Sequence, residues 1–354
     1  MVSANSHFSG LGPVREQHQF DPIALEDWMR ANIEDFSGPL SVDQFKGGQS
    51  NPTYRLRTPC RDYVLRRKPP GVLLKGAHAV EREARVMSVL GFVDFPVPKV
   101  YATCEDTNVV GSGFFVMEMV EGRVFWEPGF SGVPLADRGA YMEAMNETLA
   151  KLHAVDYEAI GLGDFGKPGR YVARQVERWS DQYLTDEEAG RDRYMDELVQ
   201  WLPDRLPARD ETSLIHGDFR ADNLIFHPTE PKVLAVLDWE LSTLGDPVAD
   251  FAYHAMMYRL PPDILGGIRG VNNDGLPSEE EYLSAYCRRV GRSNVPNFDY
   301  YVVFNMFRFA AILHGIRARV ARGTAVSEDA RATGDRFARV AQLAWELAER
   351  VDRS

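Results

Sequence analysis

The chain has 354 residues, of which 44% are hydrophobic and 26% are charged, and it contains 29 Gly and 21 Pro. These values are ordinary for globular proteins and exclude disordered, collagen-like and low-complexity chains. The balance of 40 Lys and Arg against 52 Asp and Glu gives a net charge of −12, which argues against a general nucleic-acid-binding protein.

The first third of the chain predicts strands with helices among them. Residues 1–20 are polar and are predicted to form a flexible tail. In the rest, short apolar runs between turn residues predict strands, and apolar residues spaced by three and four predict helices. The predicted helices are 25–33 and 78–90, and the predicted strands are 54–57, 63–66, 97–103 and 114–120.

The remainder of the chain predicts mostly helices. Residues 121–134 hold five Gly or Pro and are predicted to be a linker. After it, helices are predicted at 135–154, 172–184, 191–202, 248–258, 279–289, 300–322 and 327–351, and strands at 224–226 and 233–237. The predicted architecture is α+β and bilobed. A small antiparallel β-rich N-lobe with one helix inserted among its strands covers 21–120, a hinge 121–134, and a larger α-helical C-lobe 135–354.

Three polar residues flank the predicted strand pair at 224–237. Asn223 directly precedes its first strand and Asp238 directly follows its second, so a turn between the strands would bring both to one end of a hairpin. An amide oxygen and a carboxylate suit Mg²⁺, which shares its other positions with phosphates and water. Asp218, on the preceding loop, would be placed to accept a hydroxyl proton. The set predicts phosphoryl transfer.

These motifs resemble the aminoglycoside phosphotransferase-like branch of the protein-kinase fold. The run HGDFRADN at 216–223 stands where protein kinases have HRDxxxxN, and DWE at 238–240 stands where they have DFG. The run GDPVADFA at 245–252 is typical of that branch. In detail, YVLRRKPPG at 63–71 is most similar to the kinase-type domains associated with acyl-CoA dehydrogenases.

The resemblance implies that the N-lobe binds ATP with Mg²⁺ and that the C-lobe holds the catalytic base and the acceptor. It makes Asp218 the base and Asn223 and Asp238 the metal ligands. The segment after Phe45 lies where kinases have a glycine-rich phosphate loop, and backbone and side-chain donors are expected there to bind phosphate oxygens. These phosphate-loop residues are Gly47, Gly48, Gln49, Ser50 and Asn51. The adenine is expected against the backbone of Glu118, Met119 and Val120.

The sequence departs from the resembled fold at Arg66, where a strand lysine would grip the α- and β-phosphates. Arginine keeps the charge and can bind phosphate with two nitrogens, but its side chain is longer and planar. Its expected partner on the following helix is Glu83, with Glu81 as the second choice. The replacement changes the expected phosphate geometry while keeping the electrostatic role.

Several polar residues near these motifs have structural explanations. Asp246 precedes Pro247 at a predicted helix start and is expected to cap it. Asp250 is expected to brace a loop, and His216 to be a hydrogen-bonded scaffold residue. The run GLGDFG at 161–166 matches GxGxxG and contains a literal DFG, but it follows a helix and precedes 216–223. It is therefore predicted to be a simple loop.

Two charged segments bear on the acceptor. Residues 181–197 carry seven acidic residues and two Arg, and 308–339 carry seven Arg and three acidic residues. The acidic segment could attract an amino sugar or an amine, and the basic one an anion such as a CoA ester. Arg308, Arg319 and Arg322 are expected on one helix face. With the resemblance at 63–71, these features favour a hydroxylated acyl thioester or a related small metabolite.

Three functions are compatible with these motifs to different degrees. The first is an ATP- and Mg²⁺-dependent kinase for a small-molecule alcohol, whose acceptor is either the acyl thioester or an amino sugar or amine alcohol. The second is a non-catalytic nucleotide-binding regulator, for which Arg66 would mark lost turnover. A protein kinase proper is disfavoured, because 241–244 leave no room for a long activation loop.

The sequence also predicts a soluble, cytoplasmic protein. The N-terminus lacks the apolar segment of a secretory signal, and the most apolar stretch, 300–316, is interrupted by Asn305, Arg308 and His314. Three Cys lie far apart without a CxxC motif, which fits a reducing compartment. We expect no membrane or nucleic-acid partner, and the sequence leaves the oligomeric state open.

Overall fold

The structure is a computed structural model that describes residues 10–46, 51–69, 78–127, 129–208, 211–271, 274–324 and 330–353. The chain divides into two compact units. The first comprises residues 1–126 and 222–241, and the second comprises residues 127–221 and 242–354. The predicted lobes differ from these units mainly at 222–241, which the sequence placed within the C-lobe and which group with the first unit.

The first unit is built on an antiparallel sheet that has six strands in the described residues. The strands are β1 (Leu11–Gly12), β2 (Ser41–Phe45), β3 (Thr53–Arg57), β4 (Asp62–Arg67), β5 (Val100–Cys104) and β6 (Phe114–Glu118). Their order is β1-β2-β3-β4-β6-β5. The predicted hairpin of β3 and β4 is confirmed, with Thr53 opposite Arg66 and Arg57 opposite Asp62.

Helices pack on both faces of this sheet. They are α1 (Pro22–Asn32), α2 (Val80–Phe92) and the four-residue α3 (Thr107–Val110), which the sequence did not predict. Helix α1 lies on the side of Leu65 and α2 on the side of Arg66. The Asp21 carboxylate accepts a hydrogen bond from Ile23 N, and Pro22 occupies the first helical position, so α1 begins with favourable capping chemistry. Alternating side chains of β3 and β4 bury their apolar face against α1. The core they form includes Leu25, Met29, Tyr54, Leu56, Tyr63 and Leu65.

Residues 10–20 differ from the predicted flexible tail. Leu11 pairs with Phe45 in the sheet, and a short 3-10 helix spans Glu16–His18. The His18 carbonyl accepts hydrogen bonds from the Tyr54 hydroxyl (3.1 Å) and from Arg67 Nη2 (2.9 Å). These contacts tie the segment to β3 and β4, and they join residues too far apart in sequence for local composition to reveal.

The first unit also contains the predicted hairpin of β8 (Leu224–Phe226) and β9 (Val233–Val236). Leu224 lies opposite Val236, and Ile225 lies opposite Ala235. Both predicted strands are therefore confirmed. The Val236 amide donates to the Pro96 carbonyl at 2.9 Å, which attaches β9 to the segment before β5.

The second unit is mainly helical. Its helices are α4 (Leu135–His153), α5 (Tyr171–Thr185), α6 (Arg193–Trp201), α7 (Pro247–Ala255), α8 (Glu279–Arg289), α9 (Phe298–Ala321), α10 (Ala330–Gly334) and α11 (Phe337–Val351). Most side chains of α9 are buried, and α5, α7, α10 and α11 pack around it. The predicted interior helix at 300–322 is thus confirmed.

The second unit differs from the predictions at two places. Strands β7 (Ser213–Ile215) and β10 (Thr243–Gly245) pair antiparallel, and each is too short to show an alternating pattern. The predicted helix at 327–351 is split between α10 and α11, and its expected N-cap, Ser327, lies outside the described residues. The backbone of Gly334 approaches α9 so closely that a Cβ atom would lie 2.9 Å from Arg317 Cα, which favours glycine where α10 ends.

None of the helices in the described ranges combines the length and the apolar character needed to cross a lipid bilayer.

Candidate active site

The first unit gathers several predicted site residues around Arg66, near the end of β4. Arg66 Nε lies 2.9 Å from Glu83 Oε2 on α2, so the predicted pairing is confirmed. The second choice, Glu81, instead pairs with Lys68 Nζ at 2.8 Å. Glu83 points into the protein and is almost fully buried, whereas the Glu81 side chain is about half exposed. Glu81 and Glu83 are two residues apart on α2, which is about 200° around the helix axis. Only Glu83 is therefore turned toward Arg66.

Arg66 also contacts the acidic residues that follow β9. Its Nη2 donates to Asp238 Oδ1 at 2.7 Å and lies 3.7 Å from Glu240 Oε2. Asp238 adopts a left-handed backbone conformation, with φ of 63°, so the chain turns sharply where the strand ends. One guanidinium therefore faces three carboxylates, those of Glu83, Asp238 and Glu240. This excess of negative charge is suited to a further cation.

Asn51 belongs to this cluster in a way that the sequence did not predict. Its side chain is buried, and its Nδ2 donates to Glu83 Oε1 at 2.9 Å and to Glu240 Oε2 at 3.4 Å. Its Oδ1 lies 3.1 Å from His78 Nδ1. The amide is thus engaged by protein groups and braces the carboxylates, whereas the sequence analysis expected it to donate to phosphate. A buried amide needs such partners, because leaving it unsatisfied is costly.

The environment of Glu83 alters its protonation. Burial raises the pKa of the Glu83 carboxyl to about 7, and the charges of Asp238 and Glu240 act in the same direction. Arg66 opposes them but does not cancel them. The proton occupancy of Glu83 therefore changes near neutral pH, and with it the strength of the pair that orients Arg66.

Asn223 and Asp238 occupy the same end of the β8–β9 hairpin. The Leu237 amide donates to the Asn223 carbonyl at 2.8 Å, directly beyond the Leu224–Val236 pair. One carboxylate and one amide oxygen form a hard donor set, which fits Mg²⁺ if phosphates and water complete the coordination. No grouping of three or more His, Cys, Asp or Glu suited to a metal occurs among the described residues.

The predicted nucleotide contacts are described only in part. Gly47, Gly48, Gln49 and Ser50 lie outside the described residues. In the segment predicted to bind adenine, Glu118 ends β6 and its amide already donates to the Lys99 carbonyl at 2.8 Å. Its carboxylate accepts from the Lys99 amide at 3.2 Å. These bonds engage the amide and the carboxylate of Glu118, so its predicted contact with adenine would have to use its carbonyl, beside the backbone of Met119 and Val120.

In the second unit, the loop that carries Asp218 follows β7 and is held by one residue of α7. Asp250 accepts hydrogen bonds from the amides of His216 and Gly217, both at 2.8 Å, and from His153 Nε2 at 3.1 Å. Gly217 has φ of 84°, a conformation that glycine adopts without strain. The predicted bracing role of Asp250 is therefore confirmed. The predicted capping role of Asp246 is confirmed too, since it accepts from the amides of Val248 and Ala249.

The Asp218 side chain has a partner that sequence reasoning missed. The hydroxyl of Tyr253, on α7, donates to Asp218 Oδ1 at 2.6 Å. Arg220 Nε lies 3.4 Å from the same oxygen. The Asp218 amide donates to His216 Nδ1 at 3.2 Å, and His216 is buried, which agrees with its predicted scaffold role. Tyr253 is 35 residues from Asp218, and no motif spacing connects them.

We expect Asp250→Asn to destabilise the protein. One of the three donors would then face an amide NH₂, so at least one hydrogen bond to a buried group is lost, at a cost of about 1–3 kcal/mol. Urea unfolding should show a lower midpoint with an unchanged slope. The matched control is Asp263→Asn, which alters an exposed pair with Arg339 and should change stability by less than about 0.5 kcal/mol.

The contribution of Asp250 should also depend on pH. Burial by itself would raise the pKa of its carboxyl, but the hydrogen bonds and charges of His153 and His216 outweigh it and lower the pKa. The stabilisation should thus be complete above the ordinary value of 3.8 and be lost as the pH falls through the lower folded-state pKa. A difference between wild type and Asp250→Asn that grows on acidification would contradict this assignment.

The two charged segments considered for the acceptor are arranged differently from the prediction. Arg308 is buried and donates to the Gly217 carbonyl at 3.0 Å, so it is not part of a basic surface. Arg322 pairs with Asp186 at 3.0 Å and with Glu188 at 3.3 Å. Residues of the predicted basic surface and of the predicted acidic surface thus neutralise each other. This correction weakens both charge arguments about the acceptor.

Sequence comparison identifies relatives of the whole described fold. Residues 41–286 match the phosphotransferase enzyme family. The mouse protein acyl-CoA dehydrogenase family member 10 is 45% identical over 341 residues, which cover 95% of this chain and 32% of that relative. The chain therefore spans about one third of the length of this curated relative.

Solved structures agree with this assignment. A candidate aminoglycoside phosphotransferase from Ralstonia eutropha JMP134 is 50% identical, with a TM-score of 0.86, covering 94% of this chain and 99% of that one. The aminoglycoside phosphotransferase APH(4)-Ia, solved with ADP and hygromycin B, shares the fold at 13% identity, with a TM-score of 0.59 over 90% of this chain and 98% of that one. The predicted kinase-like α+β fold is confirmed. The chain belongs to the phosphotransferase enzyme family.

Proposed function

We propose that the protein transfers the γ-phosphoryl group of ATP to a hydroxyl of a small molecule, with Mg²⁺ as cofactor. The observation that carries the proposal is the cluster of Arg66, Glu83 and Asp238, which combines a phosphate-binding cation with a carboxylate suited to a metal. Membership of the phosphotransferase family supports it, and so does the structural relative solved with ADP.

In the proposed reaction, the acceptor oxygen attacks the γ-phosphorus, and the bond from that phosphorus to the bridging oxygen of ADP breaks. Asp218 accepts the proton that the acceptor hydroxyl loses. Arg66 binds the negative charge of the phosphates, with its guanidinium oriented by Glu83. The backbone of Glu118, Met119 and Val120 is proposed to meet adenine, and Gly47, Gly48, Gln49 and Ser50 are proposed as the phosphate loop.

Asn223 and Asp238 are the residues that would hold Mg²⁺, which neutralises phosphate charge during transfer. Asp238 accepts a hydrogen bond from Arg66, so binding a metal there requires the carboxylate to share or exchange that partner. Glu240 and Asn51 hold the surrounding groups in place. The protein thus contributes preorganised charge, which is the main protein contribution to phosphoryl transfer.

For the acceptor, we propose a hydroxylated acyl thioester of CoA or a related metabolite. The support is the similarity to a chain named for acyl-CoA dehydrogenases. The alternative acceptors are amino sugars and amine alcohols, because structural relatives include an aminoglycoside phosphotransferase and a choline kinase. The pairing of Arg322 with Asp186 weakens the charge patterns that would have favoured either class.

An acceptor screen tests this proposal. Purified protein with Mg·ATP is incubated with hydroxyacyl-CoA esters, amino sugars and choline-like alcohols, and ADP formation is followed beside mass spectrometry of the acceptor. A phosphorylated hydroxyacyl-CoA is the expected product. A phosphorylated amine alcohol or amino sugar would show that the acceptor belongs to that class and not to the CoA esters. The absence of a phosphorylated product from every acceptor would contradict the kinase assignment.

A non-catalytic nucleotide-binding regulator is the second candidate, favoured by one observation. Arg66 takes the place of the lysine of related folds and is engaged by Asp238. Calorimetry separates the two functions, because a regulator would bind Mg·ATP tightly and release no ADP in the screen. Retention of Asp218 favours the kinase, since a protein that only binds nucleotide has no need of a base.

Arg66→Ala should weaken the binding of ATP far more than the binding of adenosine, because only ATP carries the phosphates that Arg66 is proposed to bind. Loss of a charge-assisted hydrogen bond predicts about a 10- to 100-fold weaker ATP affinity. Arg66→Lys tests geometry, since activity retained by lysine would mean that a point charge suffices.

The matched control for Arg66 is Arg55→Ala on the neighbouring strand, where Arg55 pairs with Asp62. It should leave both affinities unchanged in calorimetry. If Arg66→Ala weakened ATP and adenosine by the same factor, Arg66 would be a structural residue and not a phosphate ligand.

A further inference from the structure

The Tyr253 hydroxyl donates a hydrogen bond to Asp218, the proposed base, and this contact bears on how the base is oriented. Tyr253 is buried, and its hydroxyl reaches Asp218 Oδ1 at 2.6 Å, a short distance typical of bonds to a charged acceptor. The guanidinium of Arg308 lies 5.2 Å from the centre of the Tyr253 ring. The ring is therefore fixed from one side by a cation and at its tip by a carboxylate.

One face of α7 holds both the backbone and the side chain of the Asp218 loop. Asp250 and Tyr253 are three residues apart on this helix, a spacing that places them on the same face. Asp250 binds the amides of His216 and Gly217, while Arg308 donates to the Gly217 carbonyl. With the loop backbone held in this way, the Tyr253 hydroxyl is placed to orient the Asp218 carboxylate.

We propose that Tyr253 is the positioning residue of Asp218: its hydroxyl fixes the rotamer of the carboxylate that accepts the acceptor proton. The role of Asp218 as the base rests on the proposed function, whereas the hydrogen bond from Tyr253 to Asp218 does not depend on it. Tyr253 acts through Asp218 and is not itself assigned a contact with substrate.

The Tyr253 hydroxyl keeps its proton and can donate a hydrogen bond to Asp218. Burial raises the pKa of Tyr253 above its ordinary value, and the neighbouring charge of Asp218 acts in the same direction. Tyr253 therefore stays protonated across the working pH range. Arg220, Arg308 and His216 also lie near the pair, and Tyr253→Phe leaves their own side chains unchanged in the sequence.

The test compares Tyr253→Phe with Tyr300→Phe. Tyr300 is also buried in the second unit, and its hydroxyl donates to the Leu202 carbonyl at 3.1 Å, so the control loses a similar buried hydrogen bond elsewhere. The first readout is the carboxyl ¹³C chemical shift of labelled aspartate at one fixed pH, with the Asp218 resonance identified by its loss in Asp218→Asn. The second is ATP turnover with the acceptor found in the screen.

We expect Tyr253→Phe to move the carboxyl ¹³C chemical shift of Asp218, because the variant loses a hydrogen-bond donor to that carboxylate. Turnover should fall about tenfold, with an unchanged KM for ATP. Tyr300→Phe should change none of these. In an Asp218→Asn background, Tyr253→Phe should cause no further loss, since both changes act on one group.

Equal Asp218 carboxyl chemical shifts in Tyr253→Phe, Tyr300→Phe and wild type would overturn the proposal. So would a further loss of turnover in the double variant equal to that of the single one, which indicates a separate structural effect. If no acceptor is phosphorylated, the proposed function fails, while the chemical shift still decides whether Tyr253 orients the Asp218 carboxylate. Should Tyr253→Phe not fold, 3-fluorotyrosine at position 253 keeps the ring and strengthens the donor, and the Asp218 chemical shift should then move in the direction opposite to that expected for Tyr253→Phe.

Discussion

Asp218→Asn is expected to reduce turnover by about 10²–10⁴-fold while nucleotide affinity stays nearly unchanged, which is the range for loss of a general base. The amide keeps the shape of the carboxylate, but it has no charge and accepts a proton poorly. Its oxygen can still accept the hydrogen bond that Tyr253 donates to Oδ1 in wild type, so the side chain should keep its place. The loss should therefore appear in kcat and not in the affinity for ATP.

Asp263→Asn is the control for this experiment, because it makes the same chemical change at an exposed aspartate that pairs with Arg339. Turnover is measured by ADP formation, and nucleotide affinity by calorimetry. A variant that kept more than half of wild-type turnover would exclude Asp218 as the base. A large loss of ATP affinity would instead assign Asp218 to nucleotide binding.

Local patterns in the sequence predicted the elements that carry the proposed site. The β8–β9 hairpin follows from two apolar runs separated by turn residues, and Asn223 and Asp238 lie at its end because they flank those runs. The pairing of Arg66 with Glu83 follows from strand and helix periodicity, which turns both side chains inward. Such features depend on neighbours within a few residues, so the sequence displays them directly.

Contacts between distant segments were not predictable in the same way. Asp250 and Tyr253 reach the Asp218 loop from a helix more than 30 residues away, and only the packing of α7 brings them there. Strands β7 and β10 have three residues each and become strands only by pairing with each other. Tertiary packing, which decides these contacts, leaves no periodic signal in either segment.

Surface charge was the least predictable feature. The spacing of Arg308, Arg319 and Arg322 matches one helix face, but spacing does not say which part of that face is covered. Arg308 is buried beneath the Asp218 loop, while Arg322 pairs across 136 residues with Asp186. Counting charges along a segment therefore overstated both predicted surfaces.

The second large effect is expected for Asp238→Ala, which should abolish the dependence of ATP binding on Mg²⁺. Asp238 supplies the carboxylate of the proposed metal pair, and the amide of Asn223 is a weaker ligand without charge. The same substitution removes a hydrogen-bond partner of Arg66, which keeps its contact with Glu83. Asp238→Ala should therefore change two quantities: the dependence of ATP binding on Mg²⁺, and the metal-free affinity for ATP, which depends on Arg66.

Calorimetry of ATP binding with Mg²⁺ and with EDTA resolves these two consequences. Wild type should bind ATP more tightly with the metal, whereas Asp238→Ala should show the same affinity in both conditions. Its metal-free affinity should equal or exceed that of wild type, because Arg66 no longer shares its charge with Asp238. Glu240→Ala, which removes a more distant carboxylate at 3.7 Å from Arg66, should keep the metal dependence. If Mg²⁺ strengthened ATP binding equally in Asp238→Ala and wild type, the metal would bind elsewhere, and Asp238 would serve only to hold Arg66.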